Sequence, residues 1–231
     1  MGRFTLKHKE NLIKVLMCIN SVAIFFMILT ISIRVLITPA YARFAYRLPA
    51  FPDDSYGFTF EDRLHWSEPS IKYLVNNEGI SYLEDLKFED GNPIFNEREL
   101  SHMKDVKSVV SGMRLAMAVL AIGILVSLQA SIHSGKKQYF LKAMHFGGWL
   151  TIGLILAILL FIALSFDTIF SWFHQLFFES GTWQFYTSDT LIRLFPLRFW
   201  RDAFIFVALQ SLLYAGILIF FTRNKPQTPG L

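Results

Sequence analysis

Two histidines carry the first chemical signal in this chain. His102 sits in Asn96-Glu97-Arg98-Glu99-Leu100-Ser101-His102-Met103-Lys104-Asp105-Val106, and His174 in Phe173-His174-Gln175-Leu176-Phe177-Phe178. Each stands where a long apolar run ends, on what the run order makes the same membrane face. Imidazole carries a proton near neutral pH better than any other side chain, so such a pair suits proton transfer in acyl chemistry on a lipid. Asp105 lies three residues after His102 and shares its helical face, where a carboxylate can fix the ring's tautomer or raise its basicity. Asp167 precedes His174 on roughly the same side, and Trp172, Phe173, Phe177 and Phe178 form an interfacial aromatic belt. A plainer reading stands beside this one: His102, Lys104, Asp105 and Lys107 are the solvated first turns of a membrane helix, and His174 is a ring resting among headgroups. Ionisable groups at membrane depth cost free energy, which favours the functional reading.

The elements that must hold these residues follow from composition. Of 231 residues, 53% are hydrophobic and 16% aromatic, and the mean hydropathy is +0.41, too apolar for an ordinary soluble domain. Stretches of about 20 apolar residues can cross a bilayer. Four qualify: Leu12 to Ile37, Val109 to Ile132, Phe146 to Phe170 and Ala203 to Phe221. In lipid every backbone polar group must pair within its own segment, so the expectation is an all-α membrane protein. It is a four-transmembrane-helix bundle with a small mixed extracytoplasmic cap domain between helices 1 and 2. The expected divisions are 1–37 (cytoplasmic start and first span), 38–107 (cap and start of the second helix), 108–132 (second span) and 133–145 (cytoplasmic loop). There follow 146–170 (third span), 171–200 (extracytoplasmic loop), 201–221 (fourth span) and 222–231 (cytoplasmic tail).

Charge orients the chain. Arg3, Lys7, Lys9 and Lys14, then Lys136, Lys137 and Lys142, then Arg223 and Lys225 flank the spans on one side, against Glu10 alone. Both termini are therefore expected in the cytoplasm. The segment from Thr38 to Lys107 holds thirteen acidic and eight basic residues, a net charge of −5 that suits an extracytoplasmic domain. The formal +4 of the whole chain is then a topology signal and not a nucleic-acid footprint. Ala40-Tyr41-Ala42 resembles a signal cleavage site, but the preceding apolar run exceeds the roughly 7 to 15 residues of a signal core, so an anchored first helix is expected. Cys18, the one cysteine, cannot form an internal disulfide, and Met17 before it does not suit a lipid-attachment motif.

Within the cap, Pro49, Pro52, Asp53, Asp54 and Gly57 mark a turn-rich opening. Glu68 to Asn77 has helical spacing, and Asp90-Gly91-Asn92 is a plausible hairpin turn. Asn96 and Glu99 have the spacing of a capping box, with Phe95 and Leu100 as its hydrophobic staple, so a helix starts before His102 and runs into the second span. The second loop carries Arg193, Arg198 and Arg201 beside Asp189 and Asp202. These arginines can snorkel to lipid phosphates, pair with the aspartates, or donate to ester carbonyls.

These segments resemble the lipoprotein intramolecular transacylases (Lit), bacterial integral membrane proteins. The resemblance rests on four spans with a large first outer loop, on the two histidine segments, and on Trp183 and Leu191-Ile192-Arg193-Leu194-Phe195-Pro196 before the fourth span. It covers most of the chain outside its termini. It implies transfer of the sn-2 acyl chain of a diacylglyceryl lipoprotein to the α-amine of its amino-terminal cysteine, giving the lyso form. The family's functional histidines match His102 and His174, and Asp105, Asp167, Arg193, Trp183 and Trp172 are candidates for substrate binding or support. Diacylated lipoproteins and membrane lipid are the expected partners, with no cofactor, no metal and no nucleic acid.

Other classes remain open. No Gly-x-Ser-x-Gly elbow occurs, and Cys18 falls in the inner half of the first span, so direct transfer is preferred to an acyl-enzyme. A metal-assisted lipid hydrolase could use His102, Asp105, His174 and Glu179, although no His-Glu-x-x-His pattern is present. A non-catalytic sensor or assembly partner that binds a lipoprotein is the third possibility. His8, His133 and His145 map to the cytoplasmic side, and His65 beside Trp66 to the cap, where a loop could lean over the site.

Overall fold

The computed structural model describes residues 2–223, with side chains from residue 11 onward. The side chains of Arg3, Lys7, His8, Lys9 and Glu10, and all of Lys225, lie outside the described residues. Among the described residues there are nine helices: α1 (Gly2–Leu36), α2 (Pro39–Ala45), α3 (Phe60–Tyr73), α4 (Ser81–Glu84), α5 (Glu97–His133), α6 (Lys137–Leu164), α7 (Phe166–Phe177), α8 (Thr190–Leu194) and α9 (Leu197–Thr222). Four are long and apolar enough to span a bilayer: α1 from Asn11, α5, α6 and α9. Their most apolar windows are at most 28% buried within the protein, so most of that surface needs an apolar solvent, which makes this a multi-pass membrane protein.

The helices divide between two units. The first takes the described parts of 1–32, 116–158 and 208–231. Ile24 and Ile28 of α1 pack there with Ala215 of α9, joined by Ile124, Met144 and Ile152. With no hydrophobic drive between helices in lipid, small and polar residues supply the association. Ser21 Oγ donates to the Ala143 carbonyl at 2.9 Å, and Ser211 Oγ to Ser32 Oγ at 3.1 Å. Gly147 lets α6 approach α1 so closely that a Cβ would stand 2.8 Å from Ile24.

The second unit, Ile33–Leu115 and Leu159–Val207, holds both candidate histidines. Its larger cluster joins Tyr73, Leu83, Ile94, Phe95, Leu100 and Met103 to Leu191 and Leu194. The Asn96 box forms as its spacing predicts: Glu99 Oε2 accepts from the Asn96 N–H at 2.8 Å and Asn96 Oδ1 from the Glu99 N–H at 3.0 Å. The turn at Asp90-Gly91-Asn92 closes on one antiparallel bridge, Lys87 with Pro93, with Gly91 at φ +84°. The helix expected from Glu68 begins eight residues earlier, at Phe60. Thr59 and Asp62 form a capping box there, and Pro69 is carried inside the helix.

The third span also differs from expectation. Instead of running through residue 170, α6 stops at Leu164, and Ser165 is extended at φ −161°, ψ 93°. Ser165 Oγ and Thr168 Oγ1 bond at 2.8 Å. A new helix, α7, then begins with Asp167 in its first turn, where a carboxylate complements the dipole.

Candidate active site

The site is assembled from α5, α7 and the segment between α7 and α8. On α5, Glu99 is 1% exposed, and besides its box contact its Oε1 accepts the Leu191 N–H at 2.6 Å. One residue back along α5, Arg98 pairs with Asp189 at 2.8 Å and lies over the Tyr186 ring, 5.0 Å from its centroid. Asn96 Nδ2 donates to the other Asp189 oxygen at 3.2 Å, and the Tyr186 N–H closes on Asp189 Oδ2 at 2.8 Å. Two polar ties to Asp189, with the Glu99 bond to Leu191 just beyond, therefore hold the end of the 179–189 segment against the start of α5.

His102 comes three residues after Glu99, on the face so fixed. Phe185 stands 5.4 Å and Phe178 4.9 Å from its ring, centroid to centroid. His174 on α7 sits 6.3 Å from His102 with the ring planes 20° apart, and each histidine is 9% exposed. Phe170, at 4.1 Å, and Trp183, at 4.7 Å, complete its surroundings. The result is two imidazoles facing one aromatic wall, and no hydrogen bond joins them.

Their hydrogen bonding differs. His174 Nδ1 lies 2.8 Å from the Phe170 carbonyl oxygen, one helical turn back. A carbonyl can only accept, so Nδ1 carries the hydrogen, and the neutral ring keeps its lone pair on Nε2. Burial lowers the His174 pKa, and the bond to Phe170 offsets only part of that shift. The neutral, proton-accepting form therefore prevails at neutral pH. His102 Nδ1 is buried with no partner in the protein. The indole Nε1 of Trp183 is likewise buried and unpartnered.

Of the seven residues singled out from sequence, the fold brings His102, His174 and Trp183 together and leaves four elsewhere. Asp105 is exposed and makes no hydrogen bond to His102, whose Nδ1 is unpartnered. Asp167 is exposed in the first turn of α7, and Trp172 is 62% exposed on that helix's outward side. Arg193 is engaged away from the rings, paired with Asp54 at 3.0 Å and lying 3.4 Å from the centroid of Phe58. His65 is exposed and packs edge-on against Trp66. Among the described residues no three His, Cys, Asp or Glu side chains are grouped to hold a metal. Sequence reasoning missed Phe170, Phe185 and the second role of Glu99. Phe170 had a local signal, its place one turn before His174; the other two depend on contacts across the chain.

Comparison with known proteins agrees with this architecture. A protein of Aquifex aeolicus (strain VF5), described as uncharacterized, is 32% identical over 200 residues, covering 84% of this chain and 86% of that one. The in meso structure of the membrane integral lipoprotein intramolecular transacylase Lit from Bacillus cereus, in a histidine-to-arginine variant, superposes with a TM-score of 0.75. Identity is 21%, over 96% of this chain and 95% of that one. A further Bacillus cereus Lit structure gives 0.63 at 20% identity, over 92% and 94%. At such identities the likeness speaks for the fold. The model of the family described as lipoprotein intramolecular transacylase Lit matches residues 18–200, and with that match over most of its length the chain belongs to the Lit family.

Proposed function

We propose that this protein is a membrane acyltransferase acting within a single substrate molecule. It moves the sn-2 acyl chain of a diacylglyceryl lipoprotein to the α-amine of the substrate's own amino-terminal cysteine, giving the lyso form. Family membership supports the general activity. The observation that carries the chemistry is the pair of buried imidazoles 6.3 Å apart, one of them with its tautomer held by a backbone carbonyl.

The balance is simple. The neutral amine attacks the ester carbonyl carbon, and His174 Nε2 takes the proton it sheds. The tetrahedral intermediate collapses with cleavage of the bond to the glycerol oxygen, and the proton taken from the amine is relayed through His102 to that oxygen. One amide forms, one ester is lost, one hydroxyl appears, and no outside acyl donor is consumed. Because donor and acceptor share a molecule, positioning supplies much of the acceleration, up to about 7 to 11 kcal/mol in well-oriented cases. The site then opens on the extracytoplasmic side, with residues 38–107 and 171–200 outside and both termini in the cytoplasm. The acidic balance of the first of these segments and the basic residues flanking the spans support that orientation.

The test is mass analysis of a diacylated lipoprotein co-expressed with the full chain. The reading expects a chain on the amino-terminal amine with total lipid mass unchanged. Loss of one chain would mean a hydrolase, and an unmodified substrate a binding protein. Transfer surviving both His102→Ala and His174→Ala at normal expression would overturn the proposed site.

A further inference from the structure

We infer that the indole N–H of Trp183 is the donor that holds the carbonyl oxygen of the ester under attack, and therefore the oxyanion of the tetrahedral intermediate. The inference rests on the transacylase reading and adds a role that the histidine pair leaves unfilled. When the amine adds, the carbonyl oxygen becomes an alkoxide in a site walled by Phe170, Phe178 and Phe185, where uncompensated negative charge is strongly disfavoured. Neither histidine is free to supply that donor, since His174 must accept through Nε2 and His102 must protonate the leaving oxygen.

Trp183 meets the requirement in three ways. Its Nε1 can only donate. That atom is buried and meets no acceptor in the protein. Its ring is tilted 34° against His174 at a centroid separation of 4.7 Å, so the ring that carries the donor packs directly against the ring of the base. The nitrogen that attacks and the oxygen that gains charge are bonded to one carbon, so their two partners must be neighbours. A buried indole N–H without an acceptor is costly in the resting protein, and packing alone would be served as well by phenylalanine. The side-chain ties from Arg98 and Asn96 to Asp189 anchor the far end of the segment that carries Trp183.

The experiment uses the full purified chain in mixed micelles with a synthetic diacylated lipopeptide, comparing wild type with Trp183→Phe. Loss of the donor is expected to lower kcat about 10- to 100-fold with KM changed less than about threefold, while the thermal midpoint of the substrate-free protein is kept or raised. With 15N-indole labelling, a lipopeptide whose amine is acetylated but whose esters are intact should shift the Trp183 signal downfield. The same lipopeptide with an ether at sn-2 should not. If wild type transfers and Trp183→Phe stays within about twofold in kcat, the indole's role is overturned and the histidine reading survives. An equal shift with ester and ether, or a fall in activity matched by a fall in thermal midpoint, also overturns it by making the residue structural. If wild type itself transfers nothing, the transacylase reading fails and this inference fails with it.

Discussion

Replacing Glu99 should damage both the stability of the second unit and the alignment of His102. Its carboxylate is 1% exposed and accepts two backbone hydrogens, from Leu191 at 2.6 Å and from Asn96 at 2.8 Å. In Glu99→Ala the Leu191 N–H is left without an acceptor inside a buried cluster, at a cost of about 2 kcal/mol. Loss of the box partner at Asn96 adds about 1 kcal/mol, less than a buried group would because Asn96 is exposed. Relief of the carboxylate's own desolvation offsets part of this, so the net expectation is about 2 to 3 kcal/mol. Glu99→Gln keeps one accepting oxygen but turns an NH2 toward the other donor, and should lose slightly less. Hydrogen exchange gives the direct reading: if about 2 kcal/mol of local stability is lost, the Leu191 amide should exchange about 30-fold faster. Tryptophan fluorescence during denaturant unfolding in micelles gives the global value. Unchanged Leu191 protection together with unfolding within about 0.5 kcal/mol of wild type would refute the claim that this carboxylate joins α5 to α8.

Three further outcomes follow from other contacts. Burial lowers the His174 pKa, so below its ordinary value of about 6.5 the unfolded chain binds more protons than the folded one. Its contribution to stability is complete above that pH and is lost as pH falls through the folded value. The His174 limb of the kcat profile should accordingly lie below about pH 6.5, separate from the limb near about 8 that the substrate amine gives; a profile whose lowest midpoint lies above about pH 7 would contradict the assignment of His174 as base. Asp54→Ala should destabilise the second unit by about 1 to 3 kcal/mol in chemical unfolding, because it removes the carboxylate that takes two hydrogen bonds from the Arg193 guanidinium and leaves it the Tyr56 carbonyl. On α6, Gly147→Ala should lower stability by about 1 to 3 kcal/mol through the clash with Ile24, whereas Gly153→Ala, with open space at its Cβ, should not lower it; equal thermal midpoints for the two would argue against the close α1–α6 approach.

What local pattern could specify, the sequence specified. Four apolar runs of span length set the membrane class, since in lipid a backbone has no partner but its own helix. The Asn96-x-x-Glu99 spacing marked the start of α5 correctly, because a capping box is closed entirely by residues three apart. The break at Ser165 was harder to read, since a single serine in an apolar run is compatible with continuing the helix. Helical spacing put Asp105 on the side of His102 and Asp167 on the side of His174, yet periodicity says only which residues share a face. It does not say which part of that face is covered. The tertiary structure decided that by docking the 179–189 segment through Asp189, ninety-one positions from Arg98. It buried the rings, left both carboxylates in solvent, and drew Arg193 away to Asp54, 139 positions distant. Partners so far apart in the chain leave no trace in local spacing, and it is their burial together, not their residue types, that sets which groups are left to meet a substrate.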